Sequence, residues 1–183
     1  APTTSMSVNV SPRQLRDPQL ISAVGEALLR SGIEPGQLWL EVTEGVMIAE
    51  PEQALTTLRR LRSLGTMLAI DDFGTGYSSL NHLRRFPLQR IKIDRAFVAG
   101  VAEDDSSRSL VRTILAMARS LDLGVVAEGV ESGSQLDALV QLGCTTAQGF
   151  LLSHPVPADA MRATIETLER NRPWKTGTRS TGA

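Results

Sequence analysis

TMLAIDDFGTGYSSL, residues 66–80, begins as one kind of segment and ends as another. Its apolar run is the length of a buried strand, and a cluster of turn residues bounds it. Two adjacent aspartates, Asp71 and Asp72, close the run. On a regular strand neighbouring side chains face opposite ways. At a strand end, where the chain turns out of the sheet, both carboxylates can reach the same mouth. Gly74 and Gly76 allow the sharp bend or the movement that a lid needs.

Outward from this stretch the same pattern repeats. MSVNVS (6–11), LWLEVTE (38–44), RIKIDRAF (90–97), GVVAEGV (124–130) and TAQGFLL (146–152) read as further strands or contain one. Segments of helical period lie between them. Asp17-Pro18 opens a helix with Asp17 as N-cap, Leu20, Ile21, Val24, Leu28 and Leu29 at core spacing, and Gly32 as C-cap. Other helices are expected from about Pro51 to Leu64 with Gly65 beyond, from near Ser78, over Ser106–Leu121 with Leu110, Ile114, Leu115 and Ala118 on one side, near Ser132–Leu142, and over Ala158–Arg170. The tail 171–183 is expected to be disordered.

Six β-α units in a row imply a parallel sheet. It can be open and doubly wound, or closed into a barrel of the triosephosphate isomerase type. No glycine-rich phosphate loop follows the first strand, which argues against dinucleotide binding. Polar residues collect instead at the C-terminal strand ends: Asn9, Glu41, Glu44, Asp71, Asp72, Lys92, Asp94, Glu128 and Gln148. A barrel keeps its active site there. Carboxylates ending four buried strands are costly unless they are paired or bind metal. Converging on one mouth, Glu41, Asp71, Asp72, Asp94 and Glu128 form an all-oxygen set suited to Mg²⁺ or Mn²⁺, with a carbonyl oxygen from Asn9. His82 and His154 form no metal pair. Two bridged ions suit phosphoester hydrolysis, and Lys92 is a fixed cation able to orient water or hold a phosphate oxygen.

The motifs SVNVSPRQL (7–15), LEVTE (40–44), AIDDFGTGYSSL (69–80), IKIDRAFV (91–98), VVAEGVE (125–131) and GC…AQGFLLSHP (143–155) together resemble the EAL family, the bacterial cyclic di-GMP phosphodiesterases. The resemblance covers residue 7 to about 165, within an expected domain of 1–170. It implies an α/β fold, a TIM-barrel-like (β/α)8 of the EAL type with one strand reversed, of which this chain carries about six β-α units. It implies metal-dependent hydrolysis of cyclic di-GMP to linear pGpG with Mg²⁺ or Mn²⁺ at a two-metal site. Asn9, Glu41, Asp71, Asp72 and Glu128 would be metal ligands, and Asp94 would complete the inner shell. Lys92 would contact the catalytic water, with Asp72 and Glu128 as its catalytic partners. Glu44 would anchor the DDFGTG loop, and Glu131 and Gln148 would shape the phosphate and guanine side. His154 stands where relatives often carry a basic residue and Thr145 where many have Asp; neither touches the metal set. A homodimer, upstream sensory or GGDEF domains in a parent protein, and a cytoplasmic location follow from the same resemblance.

The letters E-A-L-L-R occur in GEALLRSG (25–32), but downstream of Asn9, whereas the family's E-x-L-x-R lies upstream of N-V-S. Here Glu26 sits in a helical run of good helix formers, four residues from Arg30, a spacing that makes a surface ion pair. The true motif is therefore expected to be missing from this N-terminally truncated chain. Six strands do not close an eight-stranded barrel, so exposed strand edges, oligomerisation, swapping or irregular closure are expected.

Bulk composition agrees with a single soluble domain: 183 residues, 42% apolar, 21% charged and a net charge of −1. A duplex nucleic-acid binder needs a basic excess that is absent here. One cysteine, Cys144, precludes an internal disulfide and reads as a small core residue. No apolar run reaches the length of a membrane span, and the start lacks a secretory signal.

Blander roles stand beside several assignments. Asp71 and Asp72 can cap a turn, Asp94 can pair with Arg95 or cap a turn, and Gln148 can satisfy backbone groups. Arg59, Arg60 and Arg62 read as a solvated helix face, and Trp39 and Phe73 as core. Besides the phosphodiesterase, two functions remain: a truncated or degenerate module that binds cyclic di-GMP without turnover, and a regulatory domain that dimerises through the segment after DDFGTG.

Overall fold

The computed structural model describes residues 4–74 and 80–171; within them the side chains of residues 48, 80–82 and 171 are not described. The expected roles of Gly76, of the helix start at Ser78, of the dimerising segment that follows DDFGTG and of the tail beyond residue 171 fall largely outside these residues.

Five strands form one parallel sheet in the order β1-β2-β3-β4-β5: β1 Met6–Asn9, β2 Leu38–Thr43, β3 Met67–Phe73, β4 Arg90–Ile93 and β5 Gly124–Ala127. The helices are α1 Pro12–Leu15, α2 Leu20–Ser31, α3 Glu44–Ala49, α4 Pro51–Ser63, α5 Leu80–Arg85, α6 Arg95–Ala99, α7 Asp105–Ser120, α8 Gly133–Gln141 and α9 Met161–Asn171. Strictly sequential order settles the choice between closures. A doubly wound sheet reverses its strand order at a switch point, and this one does not. The architecture is an arc of a TIM-barrel-like fold.

Period-two alternation separates two faces of that arc. Leu40, Val42, Leu68, Ile70, Ile91 and Ile93 are fully or almost fully buried on the helix side. They meet Leu55, Leu58 and Leu61 of α4 and Val111, Ile114, Leu115 and Ala118 of α7 in one core. Removing a side chain such as Leu58 from it costs about 2–5 kcal/mol. The opposite face carries Trp39, Glu41, Ala69, Arg90, Lys92 and Val126, aligned by the parallel register Glu41↔Ala69↔Arg90↔Gly124. This alternation brings the polar set to one side.

Several local expectations need correction. TAQGFLL is not a strand: Ala147 forms a single parallel bridge to Ala127, Gln148 N donates to the Ala127 carbonyl, and beyond it Val130 N donates to the Gln148 carbonyl. Gly149 explains the departure. A Cβ there would lie 2.2 Å from the Val130 carbonyl oxygen, so the two backbones pass at glycine contact rather than at ladder spacing. Asp17 caps a turn through Gln19 N at 2.8 Å, and the helix proper begins three residues later, at Leu20. Leu29 is 86% exposed and Leu110 39%; Val111 takes the place on the core side of α7. Glu26 and Arg30 form no ion pair, because both lie in solvent, where such a pair gains little. Arg62 is half-buried and donates to the Thr66 carbonyl, which joins α4 to β3. The short helices α1, α3 and α6 carry too few residues to show a period. Gly32 ends α2 at φ 68°, and Trp39, Phe73 and Cys144 are buried.

Among the described residues β1 does not pair with β5 or with Ala147, so the sheet keeps two edges. All four β1 residues are exposed.

Gly149→Ala is expected to lower stability by roughly 1–3 kcal/mol, because the added methyl meets backbone that cannot rotate away. Thermal unfolding checks this; an unchanged midpoint would mean that the 146–151 loop sits elsewhere.

Candidate functional site

Three strands and the turn after β5 deliver the central cluster. The Lys92 ammonium, on β4, lies 2.5 Å from Glu41 Oε2, 2.9 Å from Asp71 Oδ1 and 2.7 Å from Glu128 Oε1. Its side chain is only 5% exposed. Burial alone would lower its pKa, but hydrogen bonds to Glu128, Glu41 and Asp71 outweigh that and hold it above the ordinary lysine value. One ammonium cannot neutralise three carboxylates. Glu128 shows the remainder: burial pushes its pKa up to about 7, Asp71 adds to the rise, and Lys92 only partly opposes it.

Asp72 joins the cluster through a break in the ladder. Ile70 pairs with Ile91 and Phe73 with Ile93, so β3 spends one residue more than β4 over that interval. The extra residue is a β-bulge. Asp72 takes φ 53°, a left-handed conformation that aspartate tolerates better than most residues. On a regular strand Asp72 would point under the helices. The bulge returns it to the mouth and gives the core position to Phe73, which is 7% exposed. Asp71, Asp72 and Glu128 thereby bring ligand oxygens within 4.8 Å of one another. Burial, Asp71 and a hydrogen bond with Asp94 raise the Asp72 pKa. Clustered acids with raised pKa values are stabilised in their charged form by a cation placed among them. An all-oxygen donor set fits a hard divalent ion such as Mg²⁺, Mn²⁺ or Ca²⁺.

The remaining expected residues take distinct places. Asp94 caps α6, accepting from Ala96 N at 2.7 Å, while it also reaches Asp72. Glu44, 3% exposed at the head of α3, accepts from Gly74 N at 3.2 Å and so ties the segment after Asp72 to β2. Asn9 ends β1 opposite Glu41 and is exposed. Glu41 touches Lys92 and stands outside the three-residue oxygen cluster. Below it the Arg90 guanidinium lies 3.6 Å from the centre of the Trp39 ring, a cation–π floor to the barrel interior. Glu26 lies on α2 and is not part of the cluster.

Next to the cluster opens a cleft of about 300 Å³ lined by Asp72, Asp94, Glu128, Glu131 and Gln148. Arg95, Gly129 and Phe150 also line it, and the sequence reading did not single these out as site residues. Phe150 is 54% exposed and stacks on His154 with ring centroids 4.3 Å apart. An exposed aromatic after Gln148-Gly149 was the available signal. Arg95 was visible only as a neighbour of Asp94.

The chain is similar to known proteins over most of its length. The sequence pattern described as "EAL domain" matches residues 1–155. MucR of Pseudomonas aeruginosa, a bifunctional diguanylate cyclase/cyclic di-GMP phosphodiesterase, is 43% identical over 161 residues, which are 88% of this chain and 24% of that protein. The solved MucR phosphodiesterase, in complex with c-di-GMP, superposes with a TM-score of 0.81 over 86% of this chain and 64% of the other. The cyclic di-GMP phosphodiesterase PdeR of Escherichia coli is 42% identical over 155 residues, covering 85% of this chain and 23% of PdeR. A manganese/cy-diGMP complex of Klebsiella pneumoniae BlrP1 is 35% identical and superposes with a TM-score of 0.77 over 82% of this chain and 39% of that one. The chain thus spans about a quarter of the length of the curated relatives MucR and PdeR.

Because Glu128 titrates near pH 7 in the metal-free protein, protons compete with a divalent ion for it. Its raised value means that protonation favours the metal-free fold at low pH and that this contribution fades as pH rises through about 7. Mn²⁺ affinity is therefore expected to climb from pH 6 to about pH 7.5 and then flatten. In Glu128→Gln the climb should shrink. A titration of Mn²⁺ binding at several pH values measures this, and a flat wild-type profile would contradict it.

Proposed function

The chain belongs to the EAL domain family, and on that premise we propose that it is a metal-dependent phosphodiesterase that hydrolyses one phosphodiester of cyclic di-GMP to linear pGpG. The observation that carries this reading is the Lys92 ammonium among Glu41, Asp71 and Glu128, at the edge of the Asp71–Asp72–Glu128 oxygen cluster. Asn9, Glu41, Asp71, Asp72, Asp94 and Glu128 would hold Mg²⁺ or Mn²⁺ as a pair. When bound, these ions supply charge neutralisation at the phosphate and acidify water.

The chain's own residues do the rest. Lys92 is fixed by its three carboxylates in one orientation and sets a positive charge in contact with the hydrolytic water. Asp72 and Glu128 are the carboxylates beside that water, and one of them takes its proton and returns it to the leaving ribose oxygen. One water is consumed; the phosphorus–oxygen bond to one ribose breaks, leaving a terminal phosphate and a free hydroxyl. Glu44 holds the turn at Gly74, and with it Asp72, in place. Glu131 and Gln148 face the dinucleotide across the cleft.

Binding without turnover is the second reading. It is favoured by the place of Glu26, the glutamate of the E-A-L-L-R spelling, which is exposed on α2 and outside the cluster. On the same premise we infer a bacterial cytoplasmic protein that acts as a homodimer, with sensory or GGDEF domains in its parent chain. Among the described residues no helix is long and apolar enough to cross a membrane.

The deciding experiment is cyclic di-GMP turnover by the 183-residue chain in Mn²⁺. Formation of pGpG is expected, with Asp72→Asn at background and Lys92→Met slowed by about 100-fold or more. Binding with no pGpG above the Asp72→Asn blank would replace the enzyme reading with the second one.

A further inference from the structure

Lys92 cannot serve as the cleft's anion receptor. Its three hydrogen bonds all go to carboxylates, and its side chain is 5% exposed. Arg95 differs in each respect. It is exposed, it is the one cation lining the cleft among the described residues, and its guanidinium forms no ion pair or hydrogen bond there. It is unpaired although Asp72, Asp94, Glu128 and Glu131 line the same cleft. A structural arginine in such company would be expected to take one of those partners.

The backbone has been shaped around its stem. Gly129, directly after Glu128, has φ 67°, and a Cβ on it would lie 2.4 Å from Arg95 Cβ. The loop after β5 thus lies flat against the first residue of α6, and only glycine permits that approach. The stem is held beside Glu128 while the head stays uncommitted. A phosphodiester entering this cleft otherwise meets a strongly acidic wall. A guanidinium is charged at every physiological pH and presents parallel donors that match two phosphate oxygens.

We propose that Arg95 is the substrate-specificity residue of this cleft: it binds a phosphodiester oxygen of the cyclic dinucleotide, while the carboxylate cluster binds cations. The proposal rests on the reading of the cleft as a cyclic di-GMP site. It separates two tasks, with the cluster selecting metal and Arg95 selecting the anion.

The test is equilibrium titration of the full chain with fluorescently labelled cyclic di-GMP in Ca²⁺, with chromatography confirming that the ligand stays intact. Arg95→Gln is expected to weaken binding about 10- to 100-fold, the range for losing a charge-assisted bidentate contact. Arg95→Lys, which keeps the charge and loses the fork, should fall between the two. Raising the salt should weaken the parent chain more than Arg95→Gln. The Ca²⁺ affinity of Arg95→Gln should be unchanged or slightly tighter, because a nearby positive charge has gone, and its melting midpoint should match the parent's. Binding by Arg95→Gln and Arg95→Lys within about twofold of the parent overturns the proposal and leaves the cyclic di-GMP reading intact. If the parent chain itself does not bind the dinucleotide, both fall.

Discussion

A single buried ammonium constrains most of this structure. Lys92 leaves water only because Glu41, Asp71 and Glu128 surround it. An unpaired charge at that depth is prohibitive, and removing one partner of such a group typically costs about 3–5 kcal/mol. The three carboxylates come from β2, β3 and the end of β5, and Lys92 from β4 between them. They meet only if the strands are parallel, adjacent in sequential order, and in a register that puts alternate residues on one face. A slip of one residue in any pairing would turn a carboxylate into the apolar core beneath the helices. The ion cluster and the hydrophobic core therefore specify the same register from opposite faces.

Around that constraint the chain departs from regularity where an additional group is needed. The bulge in β3 adds Asp72 to a face that a regular strand would deny it. Its cost is modest, since aspartate enters the left-handed region more readily than most residues and Phe73 recovers the core position. Gly129 and Gly149 play the same part on the far side of the cleft, where two backbones approach closer than any side chain would allow. Glu44, buried at the head of α3, ties the bulged segment back to the neighbouring strand by its bond to Gly74 N. Each irregularity adjoins the cleft, and the regular parts of the sheet lie away from it.

How much of this the sequence disclosed follows from the range of the forces involved. The period-two and helical patterns report burial, so they reveal the order of elements, the parallel sheet and the side on which the acids gather. DDFGTG announces a strand end with two acids and a turn. What the pattern does not contain is backbone-to-backbone contact. The sixth strand fails because Gly149 brings the chain against Val130 at a spacing that no ladder uses, and the letters of TAQGFLL look as strand-like as those of GVVAEGV. Leu29 misleads for a related reason: the helical period allows it on the core face, but α2 packs through Leu28 alone at full burial. Arg95 escapes because its character lies in an absence, a guanidinium without a partner among acids, which only coordinates reveal.

In the proposed reading one cleft must attract both metal ions and an anionic ligand, two demands that oppose each other. Concentrated carboxylates attract cations and repel phosphates, and the pKa values of Asp72 and Glu128 are raised first by burial and further by the neighbouring acids. Dispersing cations evenly through the cluster would satisfy it internally and leave it inert toward both partners. Instead Lys92 is spent on the acids at the cluster's buried side, where desolvation makes an unpaired charge most expensive. Toward solvent the carboxylates stay under-neutralised, which is the condition for binding metal. Arg95 stands farther out, where water screens it from those acids and where a phosphodiester would arrive. Ordering the charges by depth, paired cation innermost, acids in the middle and uncommitted cation at the rim, lets the acids stay short of cations without closing the cleft to an anion.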